Sequence, residues 1–234
     1  MIIVKTSLSM ISAVNYLWET AAAELSYLFA SPDIMVEMPP FGADDWKVHF
    51  GVDIKAPAVP EHIQKALEDP CPSFPGKLKK ETHLLCLVPD RQTLEKLNVP
   101  FLNKDMERYK AVFPKQGPYW ILITKEVMPY STTSLSFDRQ IERISRLGYD
   151  APYLVEVAVA VIAAKIVGDF YIFPHTLLLI NEEPNFTLCH EECEEQGGWF
   201  SIGDSGHITV GSSHRDVSVK TTYGIYNGTA GVIR

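Results

Sequence analysis

Apolar positions fall in three patterns along the chain. Leu8, Ile11, Trp18, Ala22, Leu25 and Phe29 recur at helical spacing with Asn15 as a polar interruption, which predicts an amphipathic helix within residues 1–30. The period is lost between Ser31 and Pro40, where Pro32, Pro39 and Pro40 predict a linker or extended arm. Residues 41–234 then read as one domain. Within it, Leu84–Val88 and Tyr119–Thr124 are apolar runs without alternation, which predicts two strands buried on both faces and paired at the centre of a sheet. A short helix is expected over Glu61–Asp69, with Pro60 in its first turn, Ile63, Ala66 and Leu67 on one face, and Pro70 and Pro72 ending it. Thr93–Leu97 and Lys104–Val112 read as further short helices between the strands.

The middle of the chain is helical. Ser136-Phe137-Asp138 opens a helix with Phe137, Ile141, Ile144 and Leu147 on one face, and Gly148 supplies the stop. A second helix, with Asp150 as cap, Pro152 in its first turn and Gly168 beyond its end, is apolar nearly all round and reads as a core helix. It is too short to span a bilayer and carries Glu156 and Lys165. From Phe186 onward short apolar stretches alternate with Gly, Ser, Asp and Asn, and Asn227-Gly228 is a turn signal. The predicted fold is α+β: a central mixed sheet, a buried helix and a C-terminal antiparallel β meander.

Composition narrows the function classes. The 234 residues are 46% hydrophobic and 21% charged, enough to bury a substantial core. A net charge of -8 argues against nucleic acid, whose phosphates need clustered cations. The densest basic run, Lys77-Leu78-Lys79-Lys80, reads as a solvated strand entrance. Four cysteines, Cys71, Cys86, Cys189 and Cys193, are too scattered for a secreted disulfide scaffold. Ser9, Ser12 and Asn15 break the early apolar stretch, so no signal peptide is expected and the cytoplasm is the predicted location.

Candidate chemistry is sparse. Cys189-His190-Glu191-Glu192-Cys193 has metal-like spacing, with His207 or His214 as a distant ligand, but one C-x₃-C half-site lacks its second half. Cys71 or Cys189 could serve as a nucleophile with His83 or His175 as base. Cys71, set between two prolines, reads equally as part of a rigid turn. Glu81 and His83 share a face if both are extended, which would let the carboxylate hold the imidazole. Glu156 reads as a pKa-raised acid or, more simply, as a solvent-facing residue near a helix N-terminus. The glycines between Gly197 and Gly211 lack the phosphate-loop spacing. No cofactor is predicted.

Six segments also resemble a known family. Phe41–Trp46, Pro70–Pro75, Glu81–Pro89, Tyr119–Val127, Thr187–Glu191 and Gly228–Arg234 are similar to a domain found in many proteins of chlamydia-related intracellular bacteria. Its strings read approximately Phe-Gly-Ala-x-x-Trp, Cys-Pro-Phe-Trp-Pro, Glu-Thr-His, Tyr-Trp-Val-Leu-Met-Thr and Gly-Val-Ala-Gly-Leu-Arg. The resemblance covers most of residues 41–234, while Arg91–Lys115 matches poorly. In that family the domain often follows F-box-like or repeat modules, which this chain lacks. The resemblance implies work at a host interface, after export into a host cytosol, and carries over no catalytic residue.

The expected function is therefore a non-enzymatic protein-interaction module. Leu17, Trp18, Leu25 and Phe29 are its candidate contact residues, through a partner or a second copy. A Cys/His hydrolase and a self-associating structural protein are the alternatives. Protein purified without chelator is expected to contain no stoichiometric zinc by atomic emission. Zinc that is present, and lost in Cys189→Ser, would overturn that expectation.

Overall fold

The two apolar runs are adjacent antiparallel strands in the computed structural model: β1 (His83–Val88) and β2 (Tyr119–Thr124), with Leu85 opposite Leu122 and Leu87 opposite Trp120. The structure describes residues 35–97, 113–128, 137–170, 172–173, 176–181, 196–202, 208–214, 226–228 and 230–234. The predicted helices over residues 8–29 and Lys104–Val112, and the Cys189, His190 and Cys193 half-site, lie outside the described residues.

Every residue of β1 and β2 is buried, as the lack of alternation predicts. The sheet continues through β7 (Val232–Ile233), which pairs antiparallel with β2. This sheet is antiparallel, not mixed as expected. A continuous apolar run records burial on both faces and carries no information about strand direction. A parallel contact does exist on the outer edge of β1, where Phe41 N donates to Leu85 O and Phe41 O accepts from Leu87 N, both at 2.9 Å.

That contact explains the Phe-Gly-Ala-x-x-Trp string. Phe41 bridges to β1, and the Gly42 N–H is capped by the Asp45 carboxylate at 2.7 Å as α1 (Ala43–Phe50) begins. One turn later the Trp46 indole donates to Leu87 O at 2.9 Å, while its ring meets Phe41 edge-on. Both aromatic rings are fully buried.

Next come α2 (Glu61–Leu67), α3 (Lys79–Thr82) and α4 (Arg91–Lys96). Pro60 is the N-cap of α2, and Ile63 and Ala66 are buried as predicted. The basic run corrects its reading as a solvated entrance. Lys79, Lys80 and Glu81 lie in α3, where Lys80 pairs with Glu68 at 3.0 Å and Lys77 with Glu81 at 2.9 Å. The helical turn also separates Glu81 from His83: its carboxylate accepts from Leu78 N instead of the imidazole.

The two middle helices are α5 (Phe137–Arg146) and α6 (Leu154–Gly168). Gly148 follows α5 with φ 81°, a conformation that suits a residue without Cβ. α6 packs against β1, with Val155, Val157, Val159 and Ala160 fully buried and Ile162 and Ile166 partly so. Its cap differs from expectation. Tyr153 is the N-cap and its N–H is taken by Glu156, Gly168 is the last helical residue, and Asp169 turns left-handed at φ 57°. Asp150 instead bridges to Val232 through paired backbone bonds.

A second sheet runs β5 (Ile208–His214), β4 (Gln196–Ile202), β3 (Thr176–Ile180) and β6 (Tyr226–Gly228). The pairs β3–β4 and β4–β5 are antiparallel, as a meander requires. β6 departs from it by lying parallel to β3, and β7 leaves for the first sheet. With helices beside these sheets the fold is α+β. No described helix is long and apolar enough to cross a membrane.

Ala160→Pro, in the buried middle of α6, removes a helix hydrogen bond and clashes with the preceding turn. Urea denaturation is expected to show a loss of roughly 3 kcal/mol or more. Near wild-type stability would place α6 outside the core.

Candidate functional site: a buried thiol, phenol and imidazole

The Pro70–Pro75 string forms a closed loop. Pro70 bridges to Leu78, Cys71 N donates to Lys77 O at 2.8 Å, and Lys77 N donates to Phe74 O at 3.1 Å. The prolines leave few backbone donors to satisfy, and the thiol of Cys71 points inward against Met35 and Phe74. Cys71 is thus both the rigid-turn residue and a member of a side-chain chain that its spacing alone does not reveal.

The chain runs through Tyr149. Its phenol lies 3.0 Å from His83 Nε2, with the two rings stacked at 5.5 Å, and the Cys71 thiol is its neighbour. On the far side, His83 Nδ1 is 2.8 Å from the Thr82 hydroxyl. Thr82 donates to Leu78 O at 3.2 Å, so it receives the Nδ1 proton of the ring. Nε2 then carries the lone pair and accepts from the Tyr149 hydroxyl. Both ring nitrogens have a partner in this arrangement, and His83 is neutral.

Electrostatics agree with that assignment. Burial, followed by the positive charge of Lys79, lowers His83 from 6.5 to about 3. Burial likewise raises the Tyr149 hydroxyl, with the neighbouring Cys71 adding to the effect. The Lys79 ammonium stands 5.7 Å over the Tyr149 ring and 3.6 Å from Asp69. Gly231 completes the wall: a Cβ there would lie 2.8 Å from the Tyr149 ring, so only glycine lets the chain pass so closely.

Two further ionisable clusters lie in the core. Lys125, following β2, donates to Val36 O and to Glu81 O, the latter at 3.0 Å. Burial lowers it to about 8, against the opposing pull of Glu81 and Glu37. Glu156 faces the interior instead of solvent, which corrects the simpler reading. Its carboxylate receives a two-point contact from Arg234 at 2.7 and 2.8 Å, the Tyr119 hydroxyl at 3.2 Å and Tyr153 N at 2.8 Å. Arg234 also reaches Asp150 and Ala151 O. Cys86 beside this cluster is buried and its thiol is pushed up, first by burial and then by Glu156.

At the surface, an open cleft of about 610 Å³ is lined by Asp90, Arg91, Gln92, Phe113, Lys115 and Gln116. The Arg91 guanidinium sits 5.1 Å over the Phe113 ring and the Lys115 ammonium 5.4 Å over Tyr119. Asp90 caps α4 by accepting from Thr93 N at 2.8 Å. Two cations, each over its own aromatic ring and Arg91 also 3.6 Å from Glu95, suit a carboxylate next to an apolar side chain.

Of the predicted site residues, the structure brings Cys71 and His83 each beside Tyr149. Cys189, His190, Cys193, Leu17, Trp18, Leu25 and Phe29 lie outside the described residues. Tyr149, Lys125 and Arg234 were missed. The available signal was a lone ionisable residue beside an apolar run: Glu156 within α6 and Lys125 after β2 both need a buried partner. No family model, curated protein or solved structure matches the chain.

The depressed imidazole gives a pH prediction. Between pH 6.5 and about 3 the unfolded chain binds a proton that folded His83 excludes. Stability therefore rises with pH across that window, by about 1.4 kcal/mol per unit, and falls on acidification. Urea denaturation at pH 6.5 and 4.5 should show a steeper acid loss for wild type than for His83→Gln. Equal losses would mean that His83 does not titrate between the two states in this range.

Proposed function

We propose that this chain is a non-enzymatic protein-interaction module. The observation that supports this reading is where its reactive groups lie. Cys71 and His83 are buried, both ring nitrogens of His83 are occupied, and Glu156 is closed by Arg234. The cation-and-ring cleft at Arg91, Phe113 and Lys115, by contrast, stays open. An apolar and carboxylate-bearing segment of a partner is the chemistry that fits it. The amphipathic pattern with Leu17, Trp18, Leu25 and Phe29 is the second contact element in this reading, for a protein partner or another copy of the chain. The resemblance to domains attached to F-box-like and repeat modules adds a setting, the host interface of an intracellular bacterium, with the protein acting in the cytoplasm or in a host cytosol.

A Cys/His hydrolase is the second reading, and the Cys71–Tyr149–His83 chain is what favours it. Its nucleophile would need access that the closed arrangement withholds.

Removing residues 1–30 should leave a folded core, read by its thermal transition, while self-association by light scattering or partner capture is lost. Arg91→Glu with Lys115→Glu should weaken capture without moving the transition. A folded truncate and a folded charge-reversed variant that both associate like wild type would overturn the proposal. Turnover of a thioester that disappears in Cys71→Ser would put the hydrolase first.

A further inference from the structure

Residues 35–37 reach the Cys71 loop before the chain joins β1 at Phe41. Met35 is the one side chain of the three that is buried: it is 6% exposed, against 51% for Val36, and it packs on Cys71 and Phe74. The rest of the attachment is polar and comes from three lysines. Lys77 Nζ donates to Met35 O at 3.3 Å, Lys125 Nζ donates to Val36 O, and Lys80 Nζ stands 3.9 Å from the Glu37 carboxylate. Two of these contacts grip backbone carbonyls, so they hold the chain whatever its side chains are.

We propose that residues 35–37 form a strap that closes over the Cys71 thiol and controls access to the Cys71–Tyr149–His83 chain. The geometry separates the strap from the core proper. Phe41, bonded to Leu85 and Leu87, anchors the arm on β1 independently of the lysines. Pro39 and Pro40 lie between, with no N–H to donate and fixed φ, and Met38 packs on the main core, so the strap lifts from Met38 outward. Lifting it uncovers the side of Cys71 that Met35 covers and leaves the Phe41 bridge, β1 and β2 intact. Because the strap carbonyls are replaceable at Lys77 by a competing acceptor, a partner segment that offers a carbonyl or carboxylate there would favour the lifted strap and expose the thiol.

The test is alkylation of the full chain by iodoacetamide under native conditions, with each cysteine followed by peptide mass mapping. Cys86, buried in β1 and remote from the strap, reports global opening. In wild type both Cys71 and Cys86 should react slowly. In Lys77→Met/Lys125→Met, Cys71 should react at least about tenfold faster, the factor expected when even one of the two charge-assisted hydrogen bonds is removed from the closed state, with Cys86 unchanged. Met35→Ser, which keeps both lysines, should accelerate Cys71 selectively as well. The proposal is overturned if Cys71 in wild type reacts as fast as an exposed thiol. It is also overturned if neither variant changes the Cys71 rate, or if Cys86 rises in step with Cys71 in both.

Discussion

β1 is buried on both faces and hydrogen-bonded along both edges, and most of the first sheet is arranged to meet that condition. A backbone N–H or C=O left without a partner in such a place costs about 1–3 kcal/mol, so each edge needs its own answer. β2 supplies one edge through the full antiparallel register. On the other edge Phe41 fills two positions and the Trp46 indole adds a bond to the Leu87 carbonyl. α6 covers one face. An edge strand closed this way leaves no free ladder for another chain to pair with.

With the strands closed, the remaining problem is the ionisable groups that the same core encloses. Each has a distinct solution. Glu156 is held charged-to-charged by Arg234 and by the helix N-terminal N–H of Tyr153, a geometry in which several donors offset the loss of water. Lys125 gives up hydration for two carbonyls and loses basicity in the exchange. His83 avoids charge altogether by taking a phenol on one nitrogen and a hydroxyl on the other. All three sit where chain segments distant in sequence meet, so they act as specific cross-links between the arm, the Cys71 loop, β2 and the stretch around Val232.

The same placement frames the functional reading. A thiol beside a phenol that is bonded to an imidazole supplies the parts of a nucleophile with a proton path, yet the thiol is buried and covered by Met35. The cleft at the far end of β1 has the opposite character: it is open, and Arg91, Lys115 and Phe113 are among its lining residues. Binding outside and restraint inside are compatible in one molecule, and the strap lies between them because Lys77, one of the lysines that hold it, is partly exposed.

The sequence by itself determined the α+β class, the two buried strands, the core helix and the stops at Gly148 and Pro70. Each is set by local periodicity or by backbone stereochemistry, which neighbours in the chain express directly. Antiparallel pairing in the first sheet, the parallel seat of β6 and the transfer of β7 to β2 were decided by tertiary structure, because an apolar run specifies burial but not which strand lies beside it. The site followed the same division. Cys71 and His83 stood out as residue types, but Tyr149, which lies between them, is 66 positions from His83 in sequence and carries no spacing signal of its own. Glu156 shows the reason most plainly: near a helix N-terminus it suits solvent and interior alike, and only Arg234, brought in from the end of β7, makes the interior the lower-energy place for its charge.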